Sequence, residues 1–298
     1  MPSLSRRRFI AISAAAALAG PASAAPKRYW SGTALGARAS ITLDHPDSAK
    51  IVTAVLREID RLEDVFSLYR PGSALSRLNR DGSLDAPPFE LVECLGIAGA
   101  VHEATGGAFD PTVQPLWATY AEAYAVGGTV TGPMLEEARS RVGWSRLTVA
   151  PSRIAFARSG MALTLNGIAQ GYVADRVARM LEAQGLDRIL IDTGELRALG
   201  GMPSDAPWSV SLPDGNAFRF RDRALATSAP LGTSFDTAET IGHILDPRTG
   251  LPAPATARSV SITAPTAALA DALSTGLCLL AGKEVEEAIG RLSDCRLV

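Results

Sequence analysis

The chain has 298 residues, 47% of them hydrophobic and 20% charged, enough for a full core and unlike a disordered or collagen-like chain. Its formal net charge is -2, and no Lys/Arg block lies beyond the extreme N-terminus, so the broad positive field that nucleic acid requires is missing and nucleic acid is excluded as a partner. Three cysteines, an odd number, build no disulfide framework.

The first residues form an address. Ser5, the basic run Arg6-Arg7-Arg8 and an apolar stretch from Phe9 to Ala19 precede the small residues Pro21-Ala22-Ser23-Ala24-Ala25. A charged head, a short apolar run and an A-x-A site read as a removable export signal over residues 1–24, and the paired arginines favour the twin-arginine route. The apolar run is far short of the roughly 20 residues that span a bilayer. No cysteine stands at the cleavage point to take a lipid. Cleavage removes three arginines and no acid, which leaves a net charge of about -5 on a mature protein expected in the periplasm. There Cys94, Cys278 and Cys295 meet an oxidising compartment. Cys94 and Cys278 lie in apolar runs and read as buried core; whether one pair bridges is left open.

Residues 25–298 carry the folded part. Ala37 to Leu43 alternates as a strand. Ser48 then opens a helix whose Ile51, Val52, Val55, Leu56, Ile59, Leu62, Val65 and Phe66 recur at helical spacing. A stretch from Arg70 to Pro88 reads as turns, and a helix over Phe89 to Thr105 is stopped by Gly106-Gly107. From Trp144 onward short apolar segments read as strands at 147–150, 154–157, 162–165, 189–192, 208–212, 218–220 and 260–263. Helices are expected at 169–184, 266–280 and 283–292. Grouped rather than alternating elements predict an α+β fold, in two interlocked subdomains that share one cleft with a soft boundary near Gly143.

Several chemistries are missing their signatures. There is no G-x-x-x-x-G-K-[ST] loop, no strand-borne G-x-G-x-x-G and no G-x-S-x-G elbow. His102-Glu103 lacks the second His of a zinc-protease helix.

Four blocks combine turn glycines with a few polar groups. Thr105-Gly106-Gly107-Ala108-Phe109-Asp110-Pro111-Thr112-Val113 ends a helix in glycines that allow a ligand to approach the backbone, with the Asp110 carboxylate expected to point inward. Leu163 to Asp175, with Asn166-Gly167, reads as a strand turning into a helix whose first N–H groups suit a phosphate. Gly242-His243-Ile244-Leu245-Asp246-Pro247-Arg248-Thr249-Gly250 places a histidine at a strand end before a tight turn, with Arg248 open to a phosphate or a structural role. In Ala270-Asp271-Ala272-Leu273-Ser274-Thr275-Gly276, Asp271 and Thr275 share one face of a helix, a donor pair that suits Mg²⁺ completed by backbone oxygen, water and substrate phosphate.

In this order, and with Phe66-Ser67-Leu68-Tyr69, Ser76-Arg77-Leu78-Asn79 and Leu35-Gly36-Ala37 upstream, the blocks resemble the ApbE family of FAD:protein FMN transferases over about residues 30–290. The resemblance implies an enzyme that binds FAD with Mg²⁺, moves FMN onto a threonine hydroxyl of a partner protein, expected to be a membrane-associated redox protein, and releases AMP. By motif position it implies metal-binding roles for Asp271, Thr275, the carbonyl of Gly167 and the adjacent Ser274. It implies nucleotide contacts from Leu35, Ala108, Phe109, Asp110, Thr164, Gln170 and Leu245, and a general base at His243 or Asp110. Two alternatives stay open: hydrolysis of FAD to FMN and AMP, and an accessory protein that holds FAD without turnover. Three departures stand out, namely Gln170 where the pattern has Lys, Thr164 where it has Asp, and Asp192-Thr193-Gly194-Glu195 where it has N-A-G-G-D.

Overall fold

The computed structural model describes residues 28–34, 37–254, 256 and 258–298, so the export signal and Leu35 lie outside the described residues. Strands β1 (Arg28–Ala34) and β2 (Ala37–Thr42) form a hairpin, and β2 then feeds helix α1 (Ser48–Phe66). The α1 periodicity holds: Ile51, Val52, Val55, Ile59, Leu62, Val65 and Phe66 are all buried. Each such side chain contributes roughly 1.5–3 kcal/mol of burial.

The stretch read as turns between Arg70 and Pro88 contains helix α2 (Ala74–Asp81) and strand β3 (Ser83–Asp85). Ser73 caps α2 by accepting from the Ser76 N–H, and Gly82 ends it at φ 75°, so two turn-forming residues bracket a helix rather than a loop. Helix α3 (Phe89–Ala104) ends at the expected glycines. A single 3₁₀ turn over Pro111–Val113 leads into α4 (Gln114–Ala125), followed by α5 (Gly132–Arg139), two helices the sequence reading did not anticipate. Strands β4 (Leu147–Ala150) and β5 (Arg153–Phe156) pair with β3 in a small antiparallel sheet.

The remaining elements are α6 (Ala169–Glu182), β6 (Ile189–Asp192), β7 (Leu196–Leu199), the hairpin β8 (Trp208–Ser211) and β9 (Ala217–Phe220), β10 (Ala224–Ser228), β11 (Val260–Ala264), α7 (Ala267–Leu277), α8 (Lys283–Gly290) and β12 (Arg296–Leu297). Seven strands form one antiparallel sheet in the order β1-β2-β6-β7-β10-β11-β12. Side chains alternate across it, as a two-residue period requires. Ile189, Ile191, Ala224 and Ala226 join the main core beneath α1, α6 and α7, whereas Leu190, Leu196, Ala198 and Leu225 meet Trp208, Val210 and Phe220 of the hairpin on the opposite face. The main core draws on residues from both sides of Gly143, and a separate aromatic cluster of Trp117, Tyr120, Tyr124 and Phe235 joins α4 to the segment that carries Leu245. The fold is α+β, as expected.

Two local expectations fail. Residues 162–165 form an extended loop, not a strand, because Leu163 is held by the Asn79 side chain, which accepts from its N–H at 2.7 Å and donates to its carbonyl at 2.8 Å. His243 lies in an irregular segment, not at a strand end: only isolated bridges, Ser234 to Gly242 and Leu245 to Pro252, flank it.

Candidate active site

Helices α6 and α7 are joined at their N-terminal ends, and that junction builds the site. Gly171 sits so close to α7 that a Cβ there would lie 2.2 Å from the Ala267 carbonyl oxygen, a contact only glycine allows. One turn along α6, the buried Asp175 accepts from the Ala267 and Ala268 N–H groups, each at 2.9 Å, and so satisfies the first free donors of α7. Arg197 of β7 approaches the same carboxylate at 3.4 Å. Burial pushes the Asp175 carboxyl up to about 6, against the opposing pull of those two N–H groups and the arginine.

Asp271, on α7, accepts a 3.3 Å hydrogen bond from the Gly171 N–H in the first turn of α6, where the helix dipole favours negative charge. It is only 3% exposed, and burial pushes its carboxyl up to about 8. One turn on, Thr275 faces the Asn166-Gly167 turn: a Cβ on Gly167 would lie 2.9 Å from the Thr275 hydroxyl oxygen. The side chain of Ser228, the last residue of β10, bonds the Ser274 hydroxyl at 2.8 Å and the Thr275 hydroxyl at 3.2 Å. Ser274 is fully buried and donates to the Asp271 carbonyl at 3.0 Å, so its hydroxyl is engaged on two sides.

This set fits a hard divalent cation. Asp271 brings a carboxylate, Thr275 a hydroxyl and the Gly167 turn a close backbone, all oxygen donors of the kind Mg²⁺ takes alongside substrate phosphate. Among the described residues no three His, Cys, Asp or Glu converge as a metal cage, so an ion here would lean on this oxygen set and its ligand's phosphates.

The first glycine block closes over the same place. Gly106 and Gly107 adopt φ 58° and 85°, as expected of a helix stop. The loop they start packs on α7 next to Thr275, where a Cβ on Gly276 would stand 3.0 Å from Phe109 Cβ. Thr105 accepts from the Phe109 N–H at 3.1 Å, and His102, stacked on Trp144, contacts the Phe109 carbonyl through Nδ1 at 2.9 Å. Ala108, Phe109 and Asp110 are buried, and Asp110 does point inward. Its oxygens accept from the Thr112 N–H at 2.8 Å, the Thr112 hydroxyl at 2.7 Å and the Trp144 N–H at 3.1 Å, which anchors the loop. Thr164 donates its N–H to the Pro111 carbonyl at 2.9 Å, tying the second block to the first. Gln170 lies in the first turn of α6 with its side chain against Gly194.

The third block is reached from the end of β10. His243 Nδ1 lies 3.0 Å from the Thr233 carbonyl, which only accepts, so Nδ1 holds the proton of the neutral ring and Nε2 is left to accept one. Burial holds its pKa below the ordinary value, partly offset by the carbonyls of Thr233 and Pro230. Leu245 buries its side chain with Leu116 and Tyr120, so it would meet a ligand through its backbone. Arg248 forks onto the Asp246 carboxylate, with both contacts at 2.9 Å, and has the structural role.

The structure brings Gly167, Gln170, Asp271, Ser274 and Thr275 to one junction between α6 and α7, and adds three residues to which the sequence assigned no role. Asp175 and Glu195 stood in the quoted blocks, and an acid four residues beyond a helix-opening Gly171 was an available signal for the first. Ser228 had none: its role arises only from the pairing of β10 with α7. All three cysteines are buried and free.

The chain is similar to known proteins over most of its length. The ApbE family model matches residues 35–297. The FAD:protein FMN transferase of Escherichia coli K12 is 28% identical over 274 residues, covering 85% of this chain and 78% of that protein. That of Treponema pallidum is 31% identical over 265 residues, covering 78% and 73%. Among solved structures, the flavin transferase ApbE of Vibrio cholerae superposes with a TM-score of 0.74 at 26% identity, over 88% of this chain and 89% of that one. The ApbE protein of Thermotoga maritima gives 0.75 at 26% identity, over 88% and 90%. The chain belongs to the ApbE family, a family of flavin-transferring enzymes.

Proposed function

We propose that this enzyme transfers the FMN half of FAD to a threonine hydroxyl of a partner protein, with Mg²⁺ at Asp271 and Thr275 and AMP as the leaving group. The observation that carries the reading is the seating of Gly167 on Thr275 beside the buried Asp271, in a chain that matches the family model from residue 35 to 297.

When bound, Mg²⁺ supplies neutralisation of the charge that develops on the pyrophosphate and on departing AMP. Asp271, Thr275 and the Gly167 carbonyl are the groups that would hold it, with Ser228 and Ser274 fixing the hydroxyl rotamers. The Ala108–Asp110 loop, Thr164, Gln170, Leu245 and, outside the described residues, Leu35 form the nucleotide contacts. Phosphoryl transfer asks the protein mainly for position and charge balance. The acceptor oxygen bonds the FMN phosphorus as the P–O bond to AMP breaks, and the hydroxyl proton passes to Nε2 of His243. His243 suits this better than Asp110, because the Asp110 oxygens are occupied by Thr112 and Trp144. We place the reaction in the periplasm, after twin-arginine export, with a membrane-associated redox protein as acceptor. Among the described residues no helix is long and apolar enough to cross a membrane.

The test is to combine the mature protein with FAD, Mg²⁺ and a candidate acceptor, and to follow AMP and the acceptor's mass. The reading expects AMP together with one FMN that survives denaturation on the acceptor. Equal FMN and AMP without acceptor would replace transfer by FAD hydrolysis, and intact, stoichiometric FAD would leave only a binding protein.

A further inference from the structure

We infer that Glu195 supplies a second carboxylate to the cation site. The inference rests on the proposed reading of Asp271 and Thr275 as ion ligands and adds a residue to it. Glu195 ends the turn that leads into β7 and follows Gly194, whose φ of 101° only glycine adopts readily. It is 7% exposed, yet its Oε2 has no hydrogen-bond partner. The charges that bear on it are those of Asp271, the stronger, and Asp192, while the backbone N–H of Thr227, next to Ser228, faces its carboxylate. The side chain therefore lies between the acid of α7 and the strand end that holds the Ser274 and Thr275 hydroxyls.

The loop that carries it is fixed. The Thr193 hydroxyl donates to the Gln170 carbonyl at 2.9 Å, and the Gly194 N–H donates to Asp192 at 3.0 Å. A Cβ on Gly194 would lie 2.9 Å from the Gln170 side-chain oxygen, so the loop is pressed against the start of α6. Gln170 is neutral, and among the described residues no basic side chain pairs with Glu195. Two neighbouring buried acids with one free oxygen repel each other and lack compensation inside the protein. A divalent cation resolves both problems, and Mg²⁺ commonly takes one or two carboxylates. A rigid acid beside the first ligand also raises affinity by pre-organising the site, an effect whose loss typically weakens metal binding about 10- to 100-fold.

The experiment measures Mn²⁺ binding to the mature protein with FAD bound, by counting free ion in its electron paramagnetic resonance signal, for wild type, Glu195→Gln and Asp271→Asn. Glu195→Gln should weaken Mn²⁺ binding by about tenfold or more. Its ion-free melting temperature should stay at or above that of wild type, since a buried acid has become a neutral isostere. Glu195→Asp, which keeps the charge on a shorter arm, should fall between the two and serves if the glutamine variant does not fold. Wild-type affinity in Glu195→Gln, with Asp271→Asn unable to bind, overturns this inference alone and makes Glu195 a core acid. Equal binding by wild type and Asp271→Asn, or none by wild type, rejects the ion site itself and this assignment with it.

Discussion

Gly167 and Thr275 meet with no room for a methyl group between them: a Cβ on the glycine would stand 2.9 Å from the threonine hydroxyl oxygen and 3.1 Å from its methyl. The turn that opens α6 is thereby set in register with the hydroxyl of α7. Gly167→Ala must displace one of them, and overpacking of this kind costs about 1–3 kcal/mol. We expect a lowered melting temperature together with weakened Mg²⁺ binding, read by thermal melts with and without the ion. An alanine variant with wild-type ion affinity would show that the two segments need not be in contact.

Ion binding should expel a proton. Burial holds the Asp271 carboxyl up to about 8, whereas a ligand must be ionised. Mg²⁺ affinity is therefore expected to rise with pH up to about 8 and to level off above it. Calorimetry in two buffers of different ionisation enthalpy at neutral pH measures the proton directly, and Asp271→Asn should lower both the affinity and the number of protons released per bound ion.

Asp175 makes the opposite contribution to the stability of the ion-free protein. Its carboxyl is raised from 3.8 unfolded to about 6 folded. Between these values the unfolded chain has lost a proton that the folded one keeps, so stability attributable to this group is complete below pH 3.8 and falls as pH rises to about 6. Asp175→Asn should flatten that part of a urea-stability profile. It should also lower stability by about 1–2 kcal/mol, through loss of one of the two bonds that cap α7. An unchanged slope would mean that the carboxyl titrates normally.

The parts of this molecule legible in sequence were those written in local pattern. Helix α1 announces itself because Ile51, Val55, Ile59 and Leu62 must all reach one core, and Gly106-Gly107 announce a helix end because two successive positive φ angles favour glycine. Helix α2 was hidden, since Ser73 and Gly82 serve equally as turn residues and as caps. Helices α4 and α5 were hidden by Pro115, Gly127-Gly128 and Pro133, which punctuate the segment as a loop would. Strand β10 is five residues with no alternation, Ala-Leu-Ala-Thr-Ser, and becomes a strand only between β7 and β11. The site followed the same division. Asp271 and Thr275 were readable at helical spacing, whereas Ser228, Asp175 and Glu195 act across elements far apart in the chain.

His243 is expected to serve as the base in its neutral form. Burial holds its pKa below 6.5, so the ring is uncharged at pH 7, the form in which it can take a proton. His243→Gln should lower kcat by about 10²- to 10⁴-fold while FAD affinity is kept, as followed by flavin fluorescence and AMP release. The acidic limb of the wild-type rate profile should lie below pH 6.5 and vanish in the variant. Loss of FAD affinity in place of kcat would assign the ring to nucleotide binding.

The most direct measurement is a crystal of the mature protein with FAD and Mn²⁺, analysed by the anomalous signal of the metal. The account predicts a single peak about 2.0–2.3 Å from an Asp271 carboxylate oxygen and the Thr275 hydroxyl oxygen, with the pyrophosphate of FAD on its other side. A peak elsewhere, or FAD bound with its phosphates away from these two side chains, would contradict it.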